Sequence, residues 1–62
     1  MYYEINVSYN GQHLFATHKR SLTYKAQADT LFELLVLKFP VAEGYRITLI
    51  KWEITGETLS FT

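Results

Sequence analysis

Apolar and polar residues alternate over residues 3–9, with the period of two that is typical of a half-buried strand. The dipeptide Asn10-Gly11 comes next in the chain. Both residues tolerate the positive φ of a type I′ turn, so the pattern predicts a two-residue hairpin with a return strand over residues 12–19. In the register of such a turn, Phe15 lies on the polar side of the hairpin, away from the core.

The pattern changes after the hairpin, and residues 24–39 show the helical spacing of i, i+3, i+4 and i+7. Ser21 or Thr23 is predicted as the N-cap, because either hydroxyl can accept a hydrogen bond from a free backbone amide. Pro40 ends the helix, since its ring disfavours a helical conformation in the residue before it. The buried stripe of the helix is predicted to contain Tyr24, Ala28, Leu31, Phe32, Leu35 and Phe39.

Two further strands are predicted after the helix, over residues 45–54 and 58–61, with a turn at 55–57 between them. A right-handed crossover above the sheet places the third strand beside the first. The expected fold is therefore an α+β domain of order ββαββ, with a four-stranded antiparallel sheet in the spatial order 2-1-3-4 and one helix on one face. Residues 1–62 form a single compact domain in this prediction.

The third strand does not divide into one apolar and one polar side. Ile47 and Leu49 point towards the helix, whereas Ile50 and Trp52 point to the opposite face. A last hairpin that closes on either side of Gly56 adds the apolar residues of the final strand to that opposite face. The sequence therefore predicts an apolar cluster on the face without a helix, formed by Phe15, Ile50, Trp52, Leu59 and Phe61.

Two interpretations of this cluster are open. A β-bulge near Leu49-Ile50 would turn Trp52 and its neighbours under the helix, where they need no partner. Without a bulge the cluster stays outside and is a contact surface, because monomeric proteins rarely expose a large contiguous apolar patch. Tryptophan is also enriched among the residues that dominate binding energy at interfaces.

The helix carries a second apolar feature. Leu37 points almost opposite the buried stripe, and Leu34 lies at the edge of that stripe. One exposed leucine is ordinary on a soluble protein. Alternatively, the two leucines form a second interface, such as a helix–helix contact in a homodimer.

Composition and charge narrow the classes of function. The 62 residues include no cysteine, which excludes disulfides and thiolate ligands, and 48% of them are hydrophobic, which is too many for a disordered segment. The formal net charge is zero, whereas a nucleic-acid-binding domain usually has a basic excess. Lys19, Arg20 and Lys25 form a small basic group, which either contacts phosphate or is a solvated edge of the fold.

No catalytic residue, cofactor or metal site is predicted. His13 and His18 are an odd number of positions apart on one strand, so they point to opposite faces and cannot bind one metal ion. The sequence contains no nucleophile elbow and no glycine-rich phosphate loop. The longest apolar run, Leu34–Leu37, is too short to span a bilayer, and the first residues do not form a signal peptide. We therefore expect a cytoplasmic, non-enzymatic protein without membrane contact.

Two short segments carry a resemblance to a known class. The residues FAT at 15–17 and FPVAEGYRIT at 39–48 combine a strand ending in Ala-Thr, a helix stopped by proline, and a Gly-aromatic pair before the next strand. This punctuation resembles the small early proteins of tailed bacteriophages, such as the phage T7 inhibitor of bacterial RNA polymerase, over about half of the chain. The resemblance implies a host-takeover protein that occupies a surface of a larger complex, as anti-CRISPR and anti-restriction inhibitors do. The residues that this class uses on its targets have no match here, so no site residue is implied.

Three functions remain as expectations. The first is a phage-encoded protein-binding inhibitor that acts in the host cytoplasm on RNA polymerase, CRISPR or restriction machinery through the apolar cluster. The second is a structural homo-oligomer that uses the same sheet face. The third is a small nucleic-acid-binding protein that uses Lys19, Arg20 and Lys25, which the neutral net charge disfavours.

Overall fold

The computed structural model of the protein describes residues 1–18 and 21–62, and these form four strands and one α-helix. The elements are β1 (Tyr2–Tyr9), β2 (Gln12–Ala16), α1 (Lys25–Lys38), a short 3₁₀ turn (Val41–Glu43), β3 (Tyr45–Trp52) and β4 (Gly56–Phe61). The sheet has the order β2-β1-β3-β4 with antiparallel pairs throughout, and α1 packs on one of its faces. This confirms the predicted α+β fold and its strand order. No helix among the described residues is long and apolar enough to cross a bilayer.

The core lies between α1 and the two central strands. β1 and β3 pair without a register shift from Tyr2 opposite Trp52 to Tyr9 opposite Tyr45. Alternate residues of both strands therefore point to the helix, and the side chains at the middle of these rows are buried, as the alternating pattern predicted. The buried residues are Tyr3, Ile5, Val7, Leu22, Ala28, Ile47 and Leu49.

Leu22 belongs to this core, although the sequence pattern did not assign it there. It precedes the helix and lies outside every strand, yet its side chain is only 6% exposed. The N–H of Tyr3 donates to the Leu22 carbonyl at 2.8 Å, so the chain returns to the edge of β1 beyond the end of β2. A long-range backbone contact, rather than local periodicity, buries this residue.

The helix differs from the prediction only at its first turn. Its N-cap is Tyr24, with extended φ −117 and ψ 139, and the Tyr24 side chain makes no capping hydrogen bond. Thr23 is therefore not the cap, and the Ser21 hydroxyl instead donates to the His18 carbonyl at 2.7 Å. The C-terminus agrees with the prediction, because Phe39 is the C-cap and Pro40 follows it.

A β-bulge in β2 overturns the predicted position of Phe15. Asn10 and Gly11 both have positive φ, at 49 and 83, so the two-residue turn is confirmed. Ser8 pairs with His13 as expected, but Val7 then pairs with Phe15, which leaves one extra residue in β2. Phe15 therefore shares the helix side with Val7, and the prediction that it joins the opposite face is wrong.

The β3–β4 connection, which is one residue longer than the turn predicted on either side of Gly56, overturns the predicted position of Leu59, and a second bulge follows in β4. The β3–β4 connection is residues 53–55, and Trp52 pairs with Gly56, so Gly56 is a strand residue rather than a turn residue. Ile50 pairs with Thr58, and Leu49 pairs with Ser60, which leaves Leu59 as the extra residue. Leu59 packs against the core on the helix side instead of joining the opposite face.

The same bulge answers the question of where Trp52 points. Because the extra residue is in β4 and β3 is regular, the alternation along β3 is unbroken, and Trp52 stays on the face away from the helix. The interpretation in which a bulge turns Trp52 into the core is therefore wrong. Phe61, which follows the bulge, pairs with Thr48 and lies on the same side as Trp52.

Candidate functional site

We use the term open face for the sheet face opposite α1. It is made by the positions of the central strands that alternate with the core, and no described element packs over it. Polar and apolar side chains are mixed on this face, as they are at the interfaces of complexes whose partners are also stable alone. The open-face residues of the two central strands are Tyr2, Glu4, Asn6, Ser8, Arg46, Thr48, Ile50 and Trp52.

Trp52 is the largest open-face residue, and three neighbours hold its ring. Its indole Nε1–H donates to Glu4 Oε1 at 3.1 Å. The ring of Tyr2, its cross-strand partner, is nearly parallel at 20°, with the two centroids 6.4 Å apart. The six-membered ring lies against Gly56, where an added Cβ would come within 2.8 Å of Trp52 Cη2. Contacts from the two neighbouring strands, β1 and β4, therefore fix the orientation of a half-buried indole.

Glu4 lies beside the indole, and its carboxylate forms no ion pair with a described residue. Glu4 Oε1 accepts from Trp52 Nε1 and also from Asn6 Nδ2 at 3.2 Å. Both donors are neutral, and no ion pair to Glu4 is formed within residues 1–18 and 21–62. The second oxygen, Oε2, makes no hydrogen bond in this part of the chain. It is not fully buried, since no buried side-chain oxygen or nitrogen of the described residues lacks a partner.

Three of the five residues predicted for the apolar cluster share the open face. Ile50 is half-buried between Glu4 of β1 and Thr58 of β4, and Phe61 is 71% exposed at the end of β4. With Trp52 they span two strands on one side of the sheet. Phe15 is absent from this face because of the bulge in β2, and Leu59 is absent because the three-residue connection 53–55 pairs Trp52 with Gly56.

Phe15 contributes instead to a row of aromatic rings on the helix side. Its ring centroid lies 5.9 Å from that of Phe39, and Phe39 lies 5.2 Å from Tyr45. Tyr45 in turn lies 4.8 Å from Tyr9. This row extends the core past the end of the helix, so the bulge at residue 14 gives Phe15 a structural role.

The two leucines of the predicted second interface are exposed on α1. Leu34 is 48% exposed and Leu37 is 80% exposed. Leu37 also lines a shallow apolar groove between α1 and the end of the chain. The groove is lined by Phe32, Glu33, Val36, Leu37 and Thr62.

The predicted basic group is only partly visible. Lys19 and Arg20 lie outside the described residues. Lys25 is at the start of α1, where its Nζ lies 2.8 Å from Asp29 Oδ2. The hydrogen bond to Asp29, and then the charge of that carboxylate, raise the pKa of Lys25 above 10.5. The Lys25 ammonium, for which a phosphate contact was one of two alternatives, is therefore already paired with a carboxylate.

Within the described ranges, no three His, Cys, Asp or Glu side chains come together as a metal-binding group. His13 pairs with Ser8, an open-face residue of β1, and so lies on the open-face side of β2. Comparison with known proteins finds no family model, no curated protein and no solved structure that matches this chain.

Sequence reasoning missed the residues that hold Trp52. Glu4 and Asn6 were treated as solvated strand residues, and Gly56 was assigned to a turn. The signal available was the alternation along the first strand, because Glu4 and Asn6 occupy its polar positions, on the side away from the core. This alternation could not predict the contact between Glu4 and Trp52, because the long connection between β1 and β3 does not set the register in which the two strands pair.

Proposed function

We propose that this chain is a non-enzymatic protein-binding module that engages a partner through its open face. The observation that carries the proposal is the indole of Trp52, which is held in one orientation by Tyr2, Glu4 and Gly56 on a face that no described element covers. A side chain that is already ordered loses less conformational entropy on binding. Tryptophan also buries a large area at the centre of an interface.

The surroundings of Trp52 support a protein partner over a nucleic acid. Ile50 and the exposed ring of Phe61 add apolar area on the same face. Among the described residues of β1, β3 and β4, Arg46 is the one basic side chain on the open face. Non-specific nucleic-acid binding requires several phosphate contacts, and one arginine does not supply them.

The narrower form of the proposal is a phage-encoded host-takeover inhibitor in the cytoplasm of a bacterial host. In this form the open face covers a surface of RNA polymerase, a CRISPR complex or restriction machinery and blocks it sterically. Its support is the turn punctuation at residues 15–17 and 39–48, and this form stays a prediction. A module that acts by steric blockade needs no catalytic group, so the mixed, ordered surface around Trp52 is sufficient for the task.

The proposal is tested by capture from bacterial lysate on the tagged chain, with variants of the open face. Trp52→Ala and Phe61→Asp should each abolish capture of a protein that the wild type retains. The matched control is Ile54→Asp, which changes a side chain that is 98% exposed in the β3–β4 connection, outside the sheet. Circular dichroism checks that each variant is folded. Equal capture by wild type, Trp52→Ala and Phe61→Asp would refute the proposal.

A homo-oligomer is the second candidate, and one observation favours it. Glu4 pairs with Ile50 and Arg46 pairs with Ser8, so opposite charges lie at the two ends of the open face. Two copies related by a two-fold axis across the strands would place each arginine over the other copy's glutamate. Sedimentation velocity at several concentrations tests this: a concentration-dependent dimer that Arg46→Glu abolishes supports it, and a monomer throughout excludes it.

A further inference from the structure

We propose that Glu4, Tyr2 and Trp52 together form a receptor for one arginine side chain of the protein partner. This inference rests on the proposed function, because it names the chemistry that the partner presents to the open face. The three residues lie on the two central strands at one end of that face, where Tyr2 is the direct cross-strand neighbour of Trp52.

The first argument is the charge of Glu4, which no ion pair within residues 1–18 and 21–62 compensates. Among these residues its carboxylate accepts from two neutral groups, the indole of Trp52 and the amide of Asn6, and both bonds end on Oε1. Oε2 is not fully buried, and it is therefore the oxygen left for a group of the partner. A guanidinium that donates to Oε2 would form a charge-assisted hydrogen bond, which is shorter and stronger than a neutral one.

The second argument is the pair of aromatic rings beside that carboxylate. Tyr2 and Trp52 are nearly parallel, with an interplanar angle of 20°, and the faces of such rings attract cations. A guanidinium is planar, so it can stack on an aromatic face and donate to a carboxylate at the same time. A lysine ammonium lacks the plane for stacking, and this favours arginine as the group that fits.

The third argument is that no lysine or arginine of the described residues forms an ion pair with Glu4. Lys51 is next to Trp52 in sequence but points to the helix side, where its Nζ lies 3.6 Å from Glu53 Oε1. Arg46 is on the correct face, but it lies opposite Ser8, four positions along β1 from Glu4. That spacing is about 13 Å at the usual rise of a strand, so the arginine belongs to the other end of the face.

The test is an NMR titration of the labelled protein with two short capped peptides. One is glycine-rich with a central arginine, and the other has citrulline, which is uncharged and nearly the same shape, in the same place. The indole N–H signal of Trp52 should shift in a saturable way, with an affinity for the arginine peptide at least about tenfold higher, or about 1.4 kcal/mol. Glu4→Gln should remove this preference while it keeps an oxygen that can accept from the indole.

The matched control is Glu57→Gln, which makes the same change on the other side of the sheet, opposite Lys51. It should keep the full preference for arginine. The inference is overturned if the wild type binds both peptides equally, or if the arginine peptide produces no saturable shift at Trp52. The proposed function is judged separately, because lysate capture that depends on Trp52 and Phe61 but not on Glu4 would leave it intact.

Discussion

The two faces of the sheet are made by the same two central strands, but different groups hold their side chains in place. Ile47 and Leu49 lie under α1 and are almost completely buried. Ile50 and Trp52, on the other side of β3, are half-buried, and the indole is positioned by Glu4 and Tyr2. The helix-covered face therefore supplies most of the hydrophobic stabilisation. On the open face, polar and aromatic contacts orient one ring.

The comparison also shows how a small domain reduces an exposed apolar area. Each outer strand contains one extra residue, Leu14 in β2 and Leu59 in β4. The bulge in β2 places Phe15 on the helix side and the three-residue β3–β4 connection places Leu59 there, so the open face keeps three of the five predicted apolar side chains. Bulges in edge strands also disturb the row of free backbone groups that would otherwise invite pairing with another sheet.

The largest expected effect comes from replacing isoleucine by alanine at three positions, in β3 and the connection after it, whose side chains differ in solvent exposure. Ile47→Ala, at 0% exposure, should cost about 2–5 kcal/mol in unfolding free energy, because it leaves a cavity in the core. Ile54→Ala, at 98% exposure, should cost less than about 0.5 kcal/mol. Ile50→Ala should fall between them in urea denaturation followed by circular dichroism. If Ile50→Ala cost as much as Ile47→Ala, the two faces would be equally packed and the comparison would fail.

The next effect concerns the contact that orients Trp52. Gly56→Ala places a Cβ within 2.8 Å of the indole, so the ring must move and its hydrogen bond to Glu4 should break. Such overpacking typically costs about 1–3 kcal/mol, and the indole N–H resonance should shift. Gly11→Ala is the control, since its Cβ meets nothing within 4 Å and its penalty comes from a positive φ of 83. An unchanged indole resonance in Gly56→Ala would contradict the proposed packing.

A third effect strengthens the helix that covers one face. Tyr24 is the N-cap, its side chain is 69% exposed, and it makes no capping bond. Tyr24→Asp should raise the unfolding free energy by about 0.5–2 kcal/mol, because a carboxylate can accept from a free amide of the first turn. The negative charge also interacts favourably with the helix dipole. Tyr24→Ala serves as the reference, and an aspartate no more stable than alanine would show that the cap is satisfied in another way.

The smallest effect is the pH dependence of the exposed pair Lys25–Asp29 on α1. The pKa of Lys25 is raised by its hydrogen bond to Asp29, so the pair stabilises the fold below pH 10.5 and loses this contribution as pH rises through the folded pKa. Because both side chains are well exposed, the stability change in Asp29→Asn should be close to experimental error. The NMR titration of Lys25 is the sharper measurement, and its pKa should fall in Asp29→Asn. A pKa that does not respond would mean that the two side chains do not pair in solution.

Local patterns in the sequence were sufficient for most of the architecture. Alternation along β1 and β3 predicted Ile5, Val7, Ile47 and Leu49 as core residues, and Asn10-Gly11 predicted its turn. Helical spacing followed by proline predicted where α1 ends. These signals are readable because each depends on the conformational preferences of a few neighbouring residues.

The candidate site needed information that lies far apart in the chain. The contact between Glu4 and Trp52 joins residues 48 positions apart, and it depends on how β1 and β3 align after the crossover. The bulge at residue 14 and the three-residue connection before β4 each change the pairing by one residue, which decides the face that Phe15 and Leu59 occupy. Local propensity carries no record of such a shift.

The sequence by itself therefore determined the elements, their order and the central core, since alternation, helical spacing and turn chemistry act over a few residues. Only the tertiary structure decided that Trp52 stays outside, that Phe15 and Leu59 return to the helix side, and that Leu22 is buried. The physical reason is that strand register is a cooperative property of paired strands, in which one inserted residue costs little locally but changes which face the remaining side chains occupy.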